Sequence, residues 1–239
     1  MTEFHKVLLK SALLGSLVFM SSPASAGTRP VVVELFTSQS CSSCPPADSL
    51  LGELARSSDV VALGFHISYW DGPGWKDPFS SPEATARQER YARLLGIGTV
   101  YTPQIVVDGR LETVGSDRSA VERALDAARH DPGAVPVTLS YNNGQARITM
   151  GRSGEAASAS VVLIGFDRRR VDKVERGENS GRTLTHVDVV RGIEEVGQFT
   201  GGASEIVFAP PWQSDHLAAI VQASDGRILG AAAVDRQPL

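Results

Sequence analysis

Two cysteines, three tryptophans and three methionines in 239 residues set the first limits on this chain. With so little sulfur, crosslinking is not what folds it, and a chain of this length buries a core without that help. Basic charge is also scarce, with 23 Lys and Arg against 27 Asp and Glu, a balance that argues against a nucleic-acid binder. One apolar run, Leu13 to Met20, is too short to span a bilayer, and no longer run follows it, so no transmembrane anchor is expected. The N-terminal stretch has no twin-arginine pair, and the chain has no internal repeat and no low-complexity tract.

What is present begins with the features of a secretory leader. Lys6 and Lys10 supply a positive end, Leu13 to Met20 the apolar middle, and Ala24-Ser25-Ala26 a small-residue cleavage site with no cysteine for lipid attachment. Residues 1–26 are therefore expected to be a signal peptide, with cleavage after Ala26 and a periplasmic or secreted mature protein. Loss of the leader leaves 21 basic and 26 acidic residues, a formal charge of −5. Outside the cytoplasm the two cysteines work where disulfides form.

The clearest break in pattern is Asp131-Pro-Gly-Ala-Val-Pro136, which divides the mature chain into 27–132 and 133–239. Before it, strand and helix signals alternate. Val31 to Thr37 is a nearly continuous apolar run and Val60 to Ile67 another, as expected of strands buried on both faces. Ala47 to Arg56 reads as a helix. A second helix starts at Ser81-Pro82-Glu83, with a serine cap and proline in the first turn, and stops at Gly96. Gln104 to Val107 and Leu111 to Val114 flank the hairpin dipeptide Asp108-Gly109, and Ser116 to Arg129 is a third helix. After the break the signals are almost all strand: a hairpin around Asn142-Asn143-Gly144, then Ser160 to Phe166, Thr185 to Val190, Ala203 to Phe208, Leu217 to Ala223 and Ile228 to Val234. Short strands between turns predict an antiparallel sandwich, with Arg168 to Arg170 in a solvated turn.

Both cysteines fall in Thr37-Ser-Gln-Ser-Cys-Ser-Ser-Cys-Pro-Pro-Ala-Asp48. Three readings are open: a local staple, half of a metal site, or a catalyst. A staple closing so short a loop removes little unfolded-state entropy. A copper or zinc site would recruit His66 or His186, but two sulfurs and one distant histidine are an incomplete set, and no metal or other cofactor is assigned. Between a buried strand and a helix, Cys-x-x-Cys more often means redox chemistry. The start of the helix puts partial positive charge and N–H groups beside the first sulfur. Cys41 would then attack a protein or peptide disulfide, and Cys44 would resolve the mixed disulfide. Pro45 and Pro46 lack N–H groups and threaten an irregular first turn.

The order Cys-x-x-Cys, then Thr102-Pro103 just before a strand and hairpin, resembles thioredoxin-like folds. That resemblance implies a cis Pro103 opposite the cysteines, with Thr102 and Pro103 shaping a substrate groove and Cys41 the more exposed sulfur. It also implies a buried acid behind the pair, a proton relay for which Glu34 stands on the right strand, one residue further from Cys41 than the usual spacing. The alternative for Glu34 is an ordinary ion pair. His66, Tyr69, Trp70 and Trp75 are expected at the rim. Tyr69-Trp70 and Trp75 to Phe79 read equally as a self-packed loop or as a wall for an extended substrate. Arg176 to Arg191 suggests cross-strand ion pairs or docking between the two domains, with anion recognition by Arg182 as an alternative.

Five stretches together resemble a secreted bacterial family, that of domain of unknown function 1223. They are Val33 to Asp48, Phe65-His66 with Tyr69-Trp-Asp71, Gly74-Trp-Lys-Asp-Pro-Phe79, Tyr101-Thr-Pro-Gln104, and Glu178 to His186 with Val189-Val-Arg191. The resemblance implies an α/β thioredoxin-like domain with an inserted helix, followed by a β-rich, sandwich-like domain. It implies no established reaction. Two functions follow: a periplasmic thiol-disulfide oxidoreductase, or a non-catalytic binding or assembly protein that holds a partner and, in one version, a soft metal ion.

Overall fold

The computed structural model describes residues 29–131, 133, 135–154 and 158–236. The expected signal peptide, Met1 to Ala26, lies outside them. Eleven strands and three helices follow one another in the described chain. The first half runs β1 (Val31–Thr37), α1 (Pro45–Leu54), β2 (Val60–His66), α2 (Pro82–Leu95), β3 (Gln104–Val107), β4 (Leu111–Val114) and α3 (Arg118–Arg129). The second half is β5 (Val137–Asn142), β6 (Gln145–Met150), β7 (Ala159–Lys173), β8 (Thr183–Phe199), β9 (Ser204–Phe208), β10 (His216–Ala223) and β11 (Ile228–Asp235).

Local chemistry accounts for the ends of these elements. Ser81 caps α2 by accepting the Ala84 N–H, Pro82 fills a first-turn position, and Gly96 ends the helix at φ 69°. Asp117 caps α3 in the same way through Ala120. Asp108 and Gly109 both adopt positive φ, 50° and 67°, in the β3–β4 turn. Gly109 has a second reason to lack a side chain: a Cβ there would lie 1.9 Å from the Gly226 carbonyl oxygen in the β10–β11 turn.

The expectation of a thioredoxin-like α/β domain followed by a separate β-rich sandwich does not hold. The protein is mostly β, and strands from both halves form one mixed eight-stranded sheet in the order β11-β10-β7-β8-β2-β1-β3-β4. The join is a parallel pairing of β2 with β8 at Gly64 and Val189. Gly64 makes it possible, since a Cβ there would sit 3.0 Å from the Val187 carbonyl oxygen. An exposed strand edge invites pairing, and β8 covers the edge that β2 would otherwise present. A second sheet, β5-β6-β9, packs through Ile148 and Met150 against Val161, Leu163, Leu217 and Ala219 of the large sheet.

Two of the strands are much longer than predicted. β7 and β8 span 15 and 17 residues because their charged ends are neutralised along the ribbon. Arg168 meets Asp188, Arg170 meets Asp167, and Arg191 approaches the same Asp167 carboxylate. Arg168 to Arg170, expected in a solvated turn, therefore belong to β7.

On one face of β1 and β2, α1 and α3 pack over Val33, Leu35, Ala62 and Ile105. On the other, Tyr91 and Ala84 of α2 join Val32, Phe36, Leu63 and Phe65, a cluster that continues into Ile164, Phe166 and Ile220 of the second half. Burying these side chains stabilises by roughly 1.5–3 kcal/mol each, and the seam between the halves lies within this core.

Candidate functional site

The carboxyl end of β1 runs into the cysteine loop and then into α1. Cys41 and Cys44 form a disulfide. Cys44 is the N-cap of α1, and its carbonyl accepts the N–H groups of Ala47 and Asp48 at 2.9 and 3.1 Å. Pro45 and Pro46 take the first two helical positions, where N–H groups have no partner inside a helix. The first turn is regular, so the irregularity expected from the prolines is absent. Their missing donors do, however, thin the field that a helix start offers an anion. The polar neighbour of the Cys41 sulfur is the Ser43 hydroxyl at 3.3 Å.

Cys41 is expected to be the more exposed sulfur; both sulfurs are buried, Cys41 at 1% and Cys44 at 0% exposure. The cover comes from the segment between β7 and β8. Asn179, fully buried, donates to the carbonyls of Gln39 and Cys41 at 3.0 and 2.8 Å. Arg182 holds the Asn179 amide oxygen at 2.6 Å. Glu178 accepts the Ser42 N–H at 3.0 Å, a bond that keeps its carboxyl below the usual carboxylate range. Gly177, at φ 85°, passes over Ser40. Arg176 to Arg182 is thus a docking segment that closes over the cysteine loop.

A second loop, between β2 and α2, holds the other side. The Trp75 indole donates to the Gln39 side chain at 3.2 Å. Asp77, fully buried, accepts both the Gln39 N–H at 2.8 Å and His66 Nδ1 at 2.7 Å. Burial works against protonation of His66, but the Asp77 carboxylate outweighs it and raises the histidine pKa. The same contact, with the N–H groups of Gln39 and Phe79, lowers that of Asp77 against the effect of burial. His66 is therefore a buried ion-pair partner beneath the loop and not a rim residue. The His186 ring of β8 meets it edge-on at 4.6 Å.

Tyr69 and Trp70 are 42% and 37% exposed, and the Trp70 indole donates to the Thr102 hydroxyl at 2.9 Å. Thr102 and Pro103 are joined by a cis peptide bond. Gly115 marks where this segment packs: a Cβ there would lie 3.1 Å from Ala47 of α1 and 3.3 Å from Pro103. Tyr69, Trp70 and Thr102 thus belong to one surface, and Pro103 is buried beneath it near the first turn of α1.

Glu34 does not join this site. It alternates with Leu35 and faces α2, where Arg87 grips it from two nitrogens, at 2.8 Å from Nη2, and the Tyr91 hydroxyl donates at 2.8 Å. The expected relay role gives way to the ion pair, because the helix above the cysteines lies on the opposite face of the sheet. Among the described residues, no three His, Cys, Asp or Glu side chains converge as a metal site requires. No described helix is long and apolar enough to cross a membrane.

Sequence reasoning gave no role to Asp48, Asp77, Glu178 or Asn179. Their signal was present in the stretches that carry the family resemblance, where polar residues stand without strand or helix periodicity. Such residues, unneeded by the local fold, are the ones that make contacts between distant segments.

No curated protein matches the sequence significantly. In structure the chain is similar to protein AGR_C_4864 from Agrobacterium tumefaciens, solved by X-ray crystallography, with a TM-score of 0.77 and 30% identity over 87% of this chain and 95% of that one. It is also similar in fold to HBP35 of Porphyromonas gingivalis, with a TM-score of 0.64 and 14% identity over 87% of this chain and 75% of that one. The family model described as "Protein of unknown function (DUF1223)" matches residues 32–222, a span that includes the cysteine loop and both segments that close over it, and the chain belongs to that family.

Proposed function

We propose that this protein is a thiol-disulfide oxidoreductase acting on protein or peptide disulfides outside the cytoplasm, with Cys41 as nucleophile, Cys44 as resolving thiol and no cofactor. The observation that carries this reading is the convergence of remote segments on the cysteine loop. Gln39 to Ser42 is held through Trp75, Asp77, Glu178 and Asn179, far more fixation than a turn staple needs. A thiolate at Cys41 attacks a substrate sulfur and releases the other as a thiolate. Cys44 then attacks Cys41, and the substrate leaves reduced while the protein disulfide re-forms. Tyr69 and Trp70, with Thr102 bonded to the Trp70 indole, supply an exposed aromatic surface for an extended chain.

Burial of both sulfurs favours a second reading, a non-catalytic protein whose disulfide fixes a partner-binding loop. One experiment separates them. Cys44→Ser protein, mixed with oxidised glutathione, is expected to accumulate a mixed disulfide at Cys41, visible by intact mass, and reduced wild type to turn over a model disulfide. Absence of both outcomes leaves the binding reading.

A further inference from the structure

Reduction of the Cys41–Cys44 bond adds two electrons and requires two protons. Cys41 precedes Ser42 and Ser43, both exposed, so its side of the pair is the nearer to solvent. Cys44 is fully buried, and its proton must come through the protein. Asp48 stands one helical turn further along α1, bonded through its N–H to the Cys44 carbonyl. Side chains so spaced are neighbours, with Cβ atoms about 5–6 Å apart. The Asp48 carboxylate is nearly buried, and it lines a cleft of about 560 Å³ between α1 and β8 whose wall also includes Pro45.

Behind Asp48 lies His186, 1% exposed, with Nδ1 at 3.8 Å from Asp48 Oδ2. Neither of its ring nitrogens has a hydrogen-bond partner among the described residues. Buried polar groups without partners cost about 1–3 kcal/mol, and an apolar ring would fill the space between His66 and Phe79 as well. A buried imidazole beside a carboxylate, with both ring nitrogens unbonded among the described residues, is placed to take up and pass on a proton. The charged groups around it are Glu53 and Arg56 on α1 and Arg169 on β7 along the cleft. On the inner side are the His66–Asp77 pair and, across Phe79, Arg191 of β8.

We propose that Asp48 and His186 form an internal proton relay that serves the Cys44 sulfur and exchanges with solvent through the α1–β8 cleft. The proposal rests on the oxidoreductase reading above. With dithiothreitol as reductant, one thiolate attacks Cys41 and the S–S electron pair leaves with Cys44, which takes its proton from the relay. The second thiolate of the reagent then displaces Cys41, which is protonated from solvent. The reagent ends as a cyclic disulfide, the protein as a dithiol, and water in the cleft reprotonates the relay. In the resolving direction the Cys44 proton returns to Asp48 and His186 as the thiolate forms.

The test is the rate of dithiothreitol reduction of wild type, Asp48→Asn, His186→Gln and Asp48→Glu between pH 5 and 9, corrected for the thiolate fraction of the reagent. Asp48→Asn and His186→Gln are expected to slow the reaction roughly 100-fold or more and to flatten its pH profile, and Asp48→Glu to restore both. Wild-type rates and profile in both variants overturn the relay. Should a variant fail to fold, imidazole nitrogen-15 shifts of His186 in oxidised and reduced wild type decide: a change of protonation state is expected, and the same state in both forms overturns the proposal. Wild type that turns over a model disulfide while the variants match it sinks the relay alone. Wild type that turns over nothing sinks the oxidoreductase reading and the relay with it.

Discussion

Asp188 shows how a single residue can be held against its preference. It is a non-glycine residue at φ 48° and is buried in the middle of β8, next to the pairing that joins the two halves of the sheet. Burial pushes its pKa up to about 7, with only the half-exposed Arg168 to oppose the shift. The sign follows from proton counting. Between the ordinary aspartate range and pH 7, the folded protein keeps a proton that the unfolded chain has lost, so stability falls as pH rises through that window and levels off above it. Asn tolerates the left-handed backbone and carries no charge to bury. Asp188→Asn is therefore expected to stabilise the protein at pH 8 by about 2–4 kcal/mol, the upper end ignoring solvent screening by Arg168. The gain should shrink to nothing near pH 4. Thermal melts of both proteins from pH 4 to 8 check this, and a pH-independent difference would refute the assignment.

At the scale of elements, the segment between β7 and β8 controls whether the disulfide meets anything at all. Its grip on the cysteine loop depends on two hydrogen bonds from the Asn179 amide to the Gln39 and Cys41 carbonyls. A hydrogen bond of this kind contributes about 1 kcal/mol net. Asn179→Ala is expected to open the cover more often and to raise the rate of dithiothreitol reduction of Cys41–Cys44 about tenfold, with little loss of global stability. An unchanged rate would mean that the sulfurs are reached by another path. The docking of Arg176 to Arg182 was legible from its charge pattern, as were β1, the capped start of α2 and the Asp108-Gly109 turn, because each is written in neighbouring residues. The partner of that docking segment was not legible. Asn179 and Cys41 are 138 positions apart, and no local periodicity connects them. The length of β7 and β8 was hidden for a related reason. Arg168 and Arg170 read as a solvated turn until Asp188 and Asp167 are placed beside them, whereas Arg191, expected in a cross-strand ion pair, approaches Asp167 of β7.

For the whole molecule, the informative residue is Glu34, whose alternative as an ion-pair partner is the one the structure holds. Its carboxylate is held by Arg87 and Tyr91, and the Tyr91 hydroxyl accepts in turn from Gln222 of β10, which also donates to the Gly226 carbonyl. Four buried polar side chains therefore tie the first strand, the second helix and the last hairpin together, within the apolar cluster shared by both halves. Removing one partner of such a buried pair leaves the other charged and unsatisfied, at a cost of about 3–5 kcal/mol. Glu34→Gln is expected to destabilise by that amount, and replacing the pair together, Glu34→Leu with Arg87→Met, to recover much of it. Because the network and the β2–β8 pairing cross between the halves, the two should also unfold together. The tryptophans provide the readout: Trp70 and Trp75 report on the first half, and Trp212 lies against Gly165 and Gly192 in the second. Urea unfolding followed in variants that keep tryptophan in only one half is expected to give superimposable transitions, and to move both to lower urea in Glu34→Gln. Two separate midpoints would show that each half folds independently and that the continuous sheet does not couple them.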